Sequence, residues 1–217
     1  MKFVGRIAAM AAFAVVGATA ASAQSQWSGF YAGINGGYAS TMADHLAGVN
    51  SSTGQNDLTL TGGLFGGQIG YNWASASQFV FGIEGTFNAG NVTGSCTSPD
   101  CHPSQAPSTS HTLNSLATLS ARIGFANGAL LPYVSAGVAM GSATRFTAYQ
   151  SQSYNNTHTG WAVGAGLEWK AKPNMSVNLG YQYVDLGTER YEFSAGYQPI
   201  VHLTASVIRL GLNWHLQ

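Results

Sequence analysis

The stretch that decides the fold is Gly160-Trp161-Ala162-Val163-Gly164-Ala165-Gly166-Leu167-Glu168-Trp169-Lys170. Trp161, Val163, Ala165, Leu167 and Trp169 occupy every second position, opposite Gly160, Ala162, Gly164, Gly166, Glu168 and Lys170. Side chains on a strand alternate between its two faces, so this segment has one apolar face bracketed by indoles and one face of small residues with isolated ions. Seven further segments carry the pattern. Their apolar faces are Phe30 to Tyr38, Phe65 to Trp73, Phe79 to Phe87, Leu119 to Phe125, Val134 to Met140, Val177 to Tyr183 and Ile208 to Leu216.

A soluble sheet also alternates, with its polar face turned to water. Composition decides between the two. Of 217 residues, eight are Lys or Arg and eight are Asp or Glu, 7% in all, against roughly 25% in ordinary soluble domains. The polar faces here are mainly Gly, Ser, Asn and Thr, too poorly charged for a water-facing surface. Beyond the N-terminus no run approaches the roughly 20 apolar residues that a spanning helix needs. The remaining class is all-β: an eight-stranded antiparallel up-and-down transmembrane β-barrel, apolar outside, with the 28 glycines making room inside. Connections alternate in length. Short ones fall at 74–78, 126–130 and 171–174, long ones at 41–57, 89–112, 146–157 and 188–200, which puts both termini on the periplasmic side. The five tryptophans, Trp27, Trp73, Trp161, Trp169 and Trp214, fall at predicted strand ends, as interfacial girdles require.

Residues 1–23 form a separate unit, a signal peptide, followed by a barrel domain over 24–217. Lys2 and Arg6 precede the apolar run 7–17, and Ala21-Ser22-Ala23 supplies small residues for cleavage before Gln24. Removing Lys2 and Arg6 from eight basic groups leaves six against eight acidic ones, a formal charge of −2. Such a chain has no basic field to attract nucleic acid.

Trp27-Ser28-Gly29-Phe30-Tyr31-Ala32-Gly33, Val80-Phe81-Gly82-Ile83-Glu84-Gly85, Ser120-Ala121-Arg122-Ile123-Gly124-Phe125, Leu131-Pro132-Tyr133-Val134, Thr159 to Glu168 and Tyr183-Val184-Asp185-Leu186-Gly187 resemble the small outer-membrane barrels of alphaproteobacteria. These are the RopB-type outer-membrane immunogenic proteins, related to opacity-like surface antigens and built on the OmpA-type barrel. The resemblance covers 24–217. It implies the bacterial outer membrane, a surface antigen or porin-like protein, and in some relatives haemin binding. Its implied partners are outer-membrane lipid, lipopolysaccharide and the barrel-assembly machinery. Gly180 departs from the pattern, standing where such proteins often carry an inward glutamate.

Several residues are candidates for chemistry. Glu84, Arg122, Glu168 and Arg209 face the lumen as two acids and two bases, a salt-bridged plug or else a carboxylate site with a cationic stabiliser; pairing favours the plug. Cys96 and Cys101 flank Pro99-Asp100 in one long connection and are expected to form a disulfide in an oxidising envelope. The alternative is a metal site with His102 and His111, in a spacing that matches no standard zinc pattern. His45, His102, His111 and His158 are expected in or beside external loops, as plain polar residues or as ligands of haem or metal. Gly164-Ala165-Gly166 lacks the third glycine and the strand-to-helix context of a dinucleotide site. Three function classes follow: a structural and surface-interaction barrel; a narrow porin or haemin receptor; and a lipid A deacylase or acyltransferase, for which His202 and Ser206 are the nearest residues, with no acid partner evident. The expectation is the first class, without enzymatic activity, cofactor or metal.

Overall fold

The computed structural model describes residues 26–46, 58–75, 77–96, 109–147, 152–190 and 200–216. Eight strands close into one barrel in chain order: β1 (Gly29–Leu46), β2 (Leu58–Ala74), β3 (Phe79–Cys96), β4 (Thr109–Phe125), β5 (Leu130–Thr147), β6 (Gln152–Lys172), β7 (Met175–Arg190) and β8 (Ile200–Leu216). Every neighbouring pair is antiparallel, and β1 closes on β8 from Phe30↔Leu216 to Leu46↔Ile200. Among the described residues there is no helix.

Within the apolar band the alternation puts the side chains on the faces expected of them. Phe30, Ile34, Phe65, Ile69, Leu119, Trp161 and Leu210 project outward and are exposed, while Tyr31, Asn35, Gln68, Arg122 and Glu168 point inward and are buried. Trp161 and Trp169 bracket about 27 Å of strand, or about 21 Å of height at a tilt near 40°. That matches the apolar band of a membrane barrel. The short turns follow from local chemistry. Gly128 takes φ +58° inside a hairpin closed by Asn127 N–H to the Leu130 carbonyl, 2.8 Å, and the reciprocal bond, 3.1 Å. That left-handed conformation favours glycine.

The strands run further toward the long-loop end than the apolar faces indicate. β6 continues over 152–160 beyond Trp161, about 30 Å more of strand. The long connections shrink accordingly, and that between β5 and β6 to residues 148–151, because Thr147 and Gln152 pair directly. In this outer part the pattern changes phase. Apolar side chains turn inward and form one cluster that includes Leu60, Leu64, Leu113, Leu116, Leu186 and Leu203, while Thr61, Thr93, Asn91, Asn155, Thr157 and Thr159 face outward and are exposed. A barrel clear of the hydrocarbon has water or sugar outside and needs an apolar core; each buried leucine contributes about 1.5–3 kcal/mol. The alternation seen by lipid and that seen by water differ in sign, which hid these segments among the loops.

Two kinds of glycine separate. A Cβ on inward Gly66 would strike the Phe87 carbonyl, on Gly160 that of Asp185, on Gly70 the Tyr31 ring and on Gly166 that of Tyr133. These glycines are required sterically. Outward Gly36, Gly63, Gly67 and Gly85 have nothing nearer to such a Cβ than 3.4–4.0 Å.

Candidate functional site

The lumen is filled in three layers. At the short-turn end Trp27 is fully buried among Val80, Ala126 and Leu131. Its indole N–H donates to the Gly128 carbonyl at 3.3 Å, and its ring lies 6.0 Å from that of His215 in an edge-on arrangement. Trp27 is therefore a cap inside the barrel and not part of a girdle. The chain turns inward at the start of β1, at Gly29 with φ +117°. The other four tryptophans are 39–51% exposed on the outer face.

The middle layer is polar and centred on Arg122. Its guanidinium reaches Glu168 at 3.0 Å and Glu84 at 3.6 Å. Its Nε donates to Asn72 Oδ1 at 3.0 Å, and it stacks 4.8 Å from the Tyr31 ring centroid and 5.3 Å from that of Tyr133. Glu84 also accepts from the Tyr31 hydroxyl at 2.7 Å. Glu168, on β6 across the lumen, accepts from Ser176 Oγ and, at 2.9 Å, from Asn213 Nδ2. His215 Nε2 lies 3.6 Å from the same carboxylate and 2.9 Å from Ser176 Oγ. Gln68 extends the set, donating to Asn213 and accepting from Asn35 at 3.0 Å. Above this lies the apolar layer.

Of the four predicted lumen ions, Glu84, Arg122 and Glu168 meet. Arg209 faces inward on β8 with its stem over Gly37 but makes no ion pair with any described residue. Arg209 pairs in register with Gly180 and Gly37, one inward step from Gly211, which is level with Asn178 and hence with Glu168. Lys170 supplies a third cation. It is 7% exposed, its ammonium lies 4.9 Å above the Trp27 ring centroid, and no described carboxylate stands within ion-pair distance. Lys170 thus adds a cation to the inward set that the four-residue reading left out. Lys170 was legible as the next inward position after Glu168. Tyr133, whose hydroxyl lies by Gly166 and 3.1 Å from where a Gly180 side chain would begin, occupies the room that an inward glutamate would take.

The remaining candidates are dispersed. Cys96 ends β3, its backbone paired with Thr109, and Cys101 lies outside the described residues, as does His102. His45, His111 and His158 are on strands, paired with Val201, Gly94 and Gly141, because the strands outrun the apolar band; His158 is fully buried inside. No three metal-ligating side chains gather among the described residues. His202 does have an acid neighbour: Asp185 Oδ1 lies 3.5 Å from Nε2, and Thr188 Oγ1 lies 2.9 Å from Nδ1. Ser206 instead bonds the Tyr181 hydroxyl at 3.0 Å, so serine and histidine do not share one site. Gly164 to Gly166 lie in mid-strand with no helix after them.

The sequence matches the family of the outer membrane protein beta-barrel domain over residues 8–215. It is 31% identical over 174 residues to the 31 kDa outer-membrane immunogenic protein of Brucella melitensis, covering 74% of this chain and 72% of the relative. The chain belongs to the outer-membrane β-barrel family. This barrel is also 28% identical over 172 residues to the 22 kDa outer membrane protein of Rhizobium leguminosarum, covering 78% and 69% of the two chains. Solved barrels with the same fold include OprG of Pseudomonas aeruginosa, at a TM-score of 0.51, 14% identity and coverage of 87% and 97%. Neisserial surface protein A has a TM-score of 0.50, 18% identity and coverage of 87% and 98%. The barrel is a bacterial outer-membrane protein, and its membrane environment is lipid and lipopolysaccharide.

Proposed function

We propose that this is a closed structural barrel that acts through its outer surface, not through a pore or a catalytic centre. The observation that carries this reading is the filled lumen: the Trp27 cap, the Arg122-centred polar layer and the leucine-rich layer lie in series. Eight strands leave an interior that side chains can just fill, and here each layer is made by large side chains seated against glycines. The orientation follows from the connections, with the short turns and Trp27 in the periplasm and the long-loop end outside. Residues 1–23 act as a cleaved signal, and the barrel-assembly machinery inserts the mature chain from Gln24.

Planar-bilayer recordings of the refolded barrel test closure. The expected result is no discrete conductance; regular steps that persist in several preparations would support the narrow-porin alternative. Haemin titration of the same material tests the receptor alternative, with no Soret shift expected. An epitope tag placed within 148–151 is expected to bind antibody on intact cells, and a tag reached only after permeabilisation would reverse the orientation.

A further inference from the structure

The outward glycines are unusual because the fold does not need them. In a strand interior, glycine costs roughly 0.5–1 kcal/mol relative to alanine through backbone entropy and lost packing, and a Cβ at Gly67 or Gly85 would meet nothing closer than 3.4 Å. Register puts them beside the two most prominent phenylalanines of that wall. Gly67 is opposite Phe87, Gly85 is opposite Ile69, and Phe65 is opposite Ala89; Phe65 is 69% and Phe87 59% exposed. The open space of 660 Å³ here is bounded by outward Phe65, Gly67, Ile69, Gly85, Phe87 and Ala89, and where the small residues thin the wall it also reaches Gly33, Gly66, Gln68, Thr86 and Thr118 behind it. On the outer face the phenylalanines flank a groove over Gly67 and Gly85.

Its depth follows from the same register. Phe65 lies eight residues from Trp73 on β2, as Trp161 lies eight from Trp169 on β6, so the groove opens just below the outer edge of the apolar band. One outward step above Phe65 and Ala89 stand Gly63 and Asn91, and above them Thr61 and Thr93, which are paired. Asn91, Thr61 and Thr93 are exposed, and Thr93 Oγ1 donates to Asn91 Oδ1 at 2.5 Å. β2 and β3 contain no lysine or arginine along their length. An apolar slot therefore ends under an uncharged amide and hydroxyl shelf. The slot is continuous with the lipid-facing wall, so what enters it is an acyl chain, and the shelf suits sugar hydroxyls and amides better than a bare phosphate.

We infer that the groove between β2 and β3 binds one acyl chain of an outer-leaflet glycolipid, with its sugar on Thr61, Asn91 and Thr93. Only a chain rooted in the outer leaflet meets groove and shelf together, so this rests on the orientation proposed above. Glycine at 67 and 85 leaves the floor open to the chain, and the phenylalanines give it two walls.

The test is native mass spectrometry of the full mature barrel, refolded in detergent with equimolar lipid A and phosphatidylethanolamine. Wild type should retain one lipid A through detergent exchange. Gly67→Leu with Gly85→Leu should reduce that retention about tenfold, the equivalent of roughly two methylene contacts. Ala136→Leu, on the outward face of β5 away from the groove, should leave it unchanged. Heat-modifiable migration confirms folding of each variant; should the leucine pair fail to fold, Gly67→Ala with Gly85→Ala and Phe87→Ala replace it, since alanine fits both positions. Equal retention in filled and unfilled barrels, or none in wild type, would overturn the site. Loss of phosphatidylethanolamine instead of lipid A on filling would overturn the glycolipid assignment, while the antibody test on intact cells reports separately on orientation.

Discussion

Removing the guanidinium of Arg122 while keeping its bulk, Arg122→Met, isolates the charge of the middle layer. The side chain holds two carboxylates at 3.0 and 3.6 Å, bonds Asn72 at 3.0 Å and faces two phenol rings. Methionine fills much of the space but leaves Glu168, fully buried, with its neutral donors and His215 only. Breaking a buried pair at one partner costs about 3–5 kcal/mol because the other charge is left uncompensated. In urea, with a slope of about 2–3 kcal/mol per molar, that is a fall of roughly 1–2.5 M in the unfolding midpoint, followed by tryptophan fluorescence in lipid vesicles. Arg122→Met with Glu168→Gln removes both charges of the shorter pair and should recover part of the loss. Glu84 would then keep its bond from Tyr31. An unchanged midpoint in the single variant, or a double variant less stable than the single, would refute the view that this layer is held by charge pairing.

Three further outcomes follow from the other layers. Trp27→Ala should cost about 3–5 kcal/mol as a large core truncation and should expose Lys170 to an amine-reactive reagent that leaves it unmodified in wild type, read by peptide mapping. Gly66→Ala should block the approach of β2 to β3 and abolish heat-modifiable migration, whereas Gly67→Ala, one residue along, should fold as wild type. If Cys96 and Cys101 are joined, the unreduced protein should show no free thiol in denaturant and two after reduction; two thiols without reduction would end the disulfide reading.

How far the sequence could be read depended on what faced each side chain. Where lipid lies outside, Phe65, Trp161 and Leu210 mark the outer face at every second position, and strand order, closure and facing followed from them. The Glu84, Arg122 and Glu168 cluster was legible because charges on a lumen face have few partners to choose from. Arg209 was misplaced by one inward step, since strand counting gives parity well and height poorly in a sheared barrel. Trp27 has the sequence surroundings of a girdle residue, and only the inward turn at the start of β1 makes it a cap. The leucine-rich layer was missed because Leu60, Leu113 and Leu186 stand among polar neighbours in segments that resemble loops. The acid beside His202 became visible only once the β7–β8 register brought Asp185 to it.

The phase change along the strands also alters what an outside observer of the cell would meet. In the orientation proposed above, the part of the molecule beyond the membrane is a short turret with an apolar centre, and its wall is a ladder whose rungs come from different parts of the chain. Asn114, Thr144 and Asn155, one from each of three successive strands, are joined there by hydrogen bonds. A binder of that wall recognises spacing between strands, so a synthetic peptide copied from any one strand would lack the shape, and boiling would erase it. The wall's outward positions carry no core packing, so its surface can change from one side chain to another while the turret beneath stays the same.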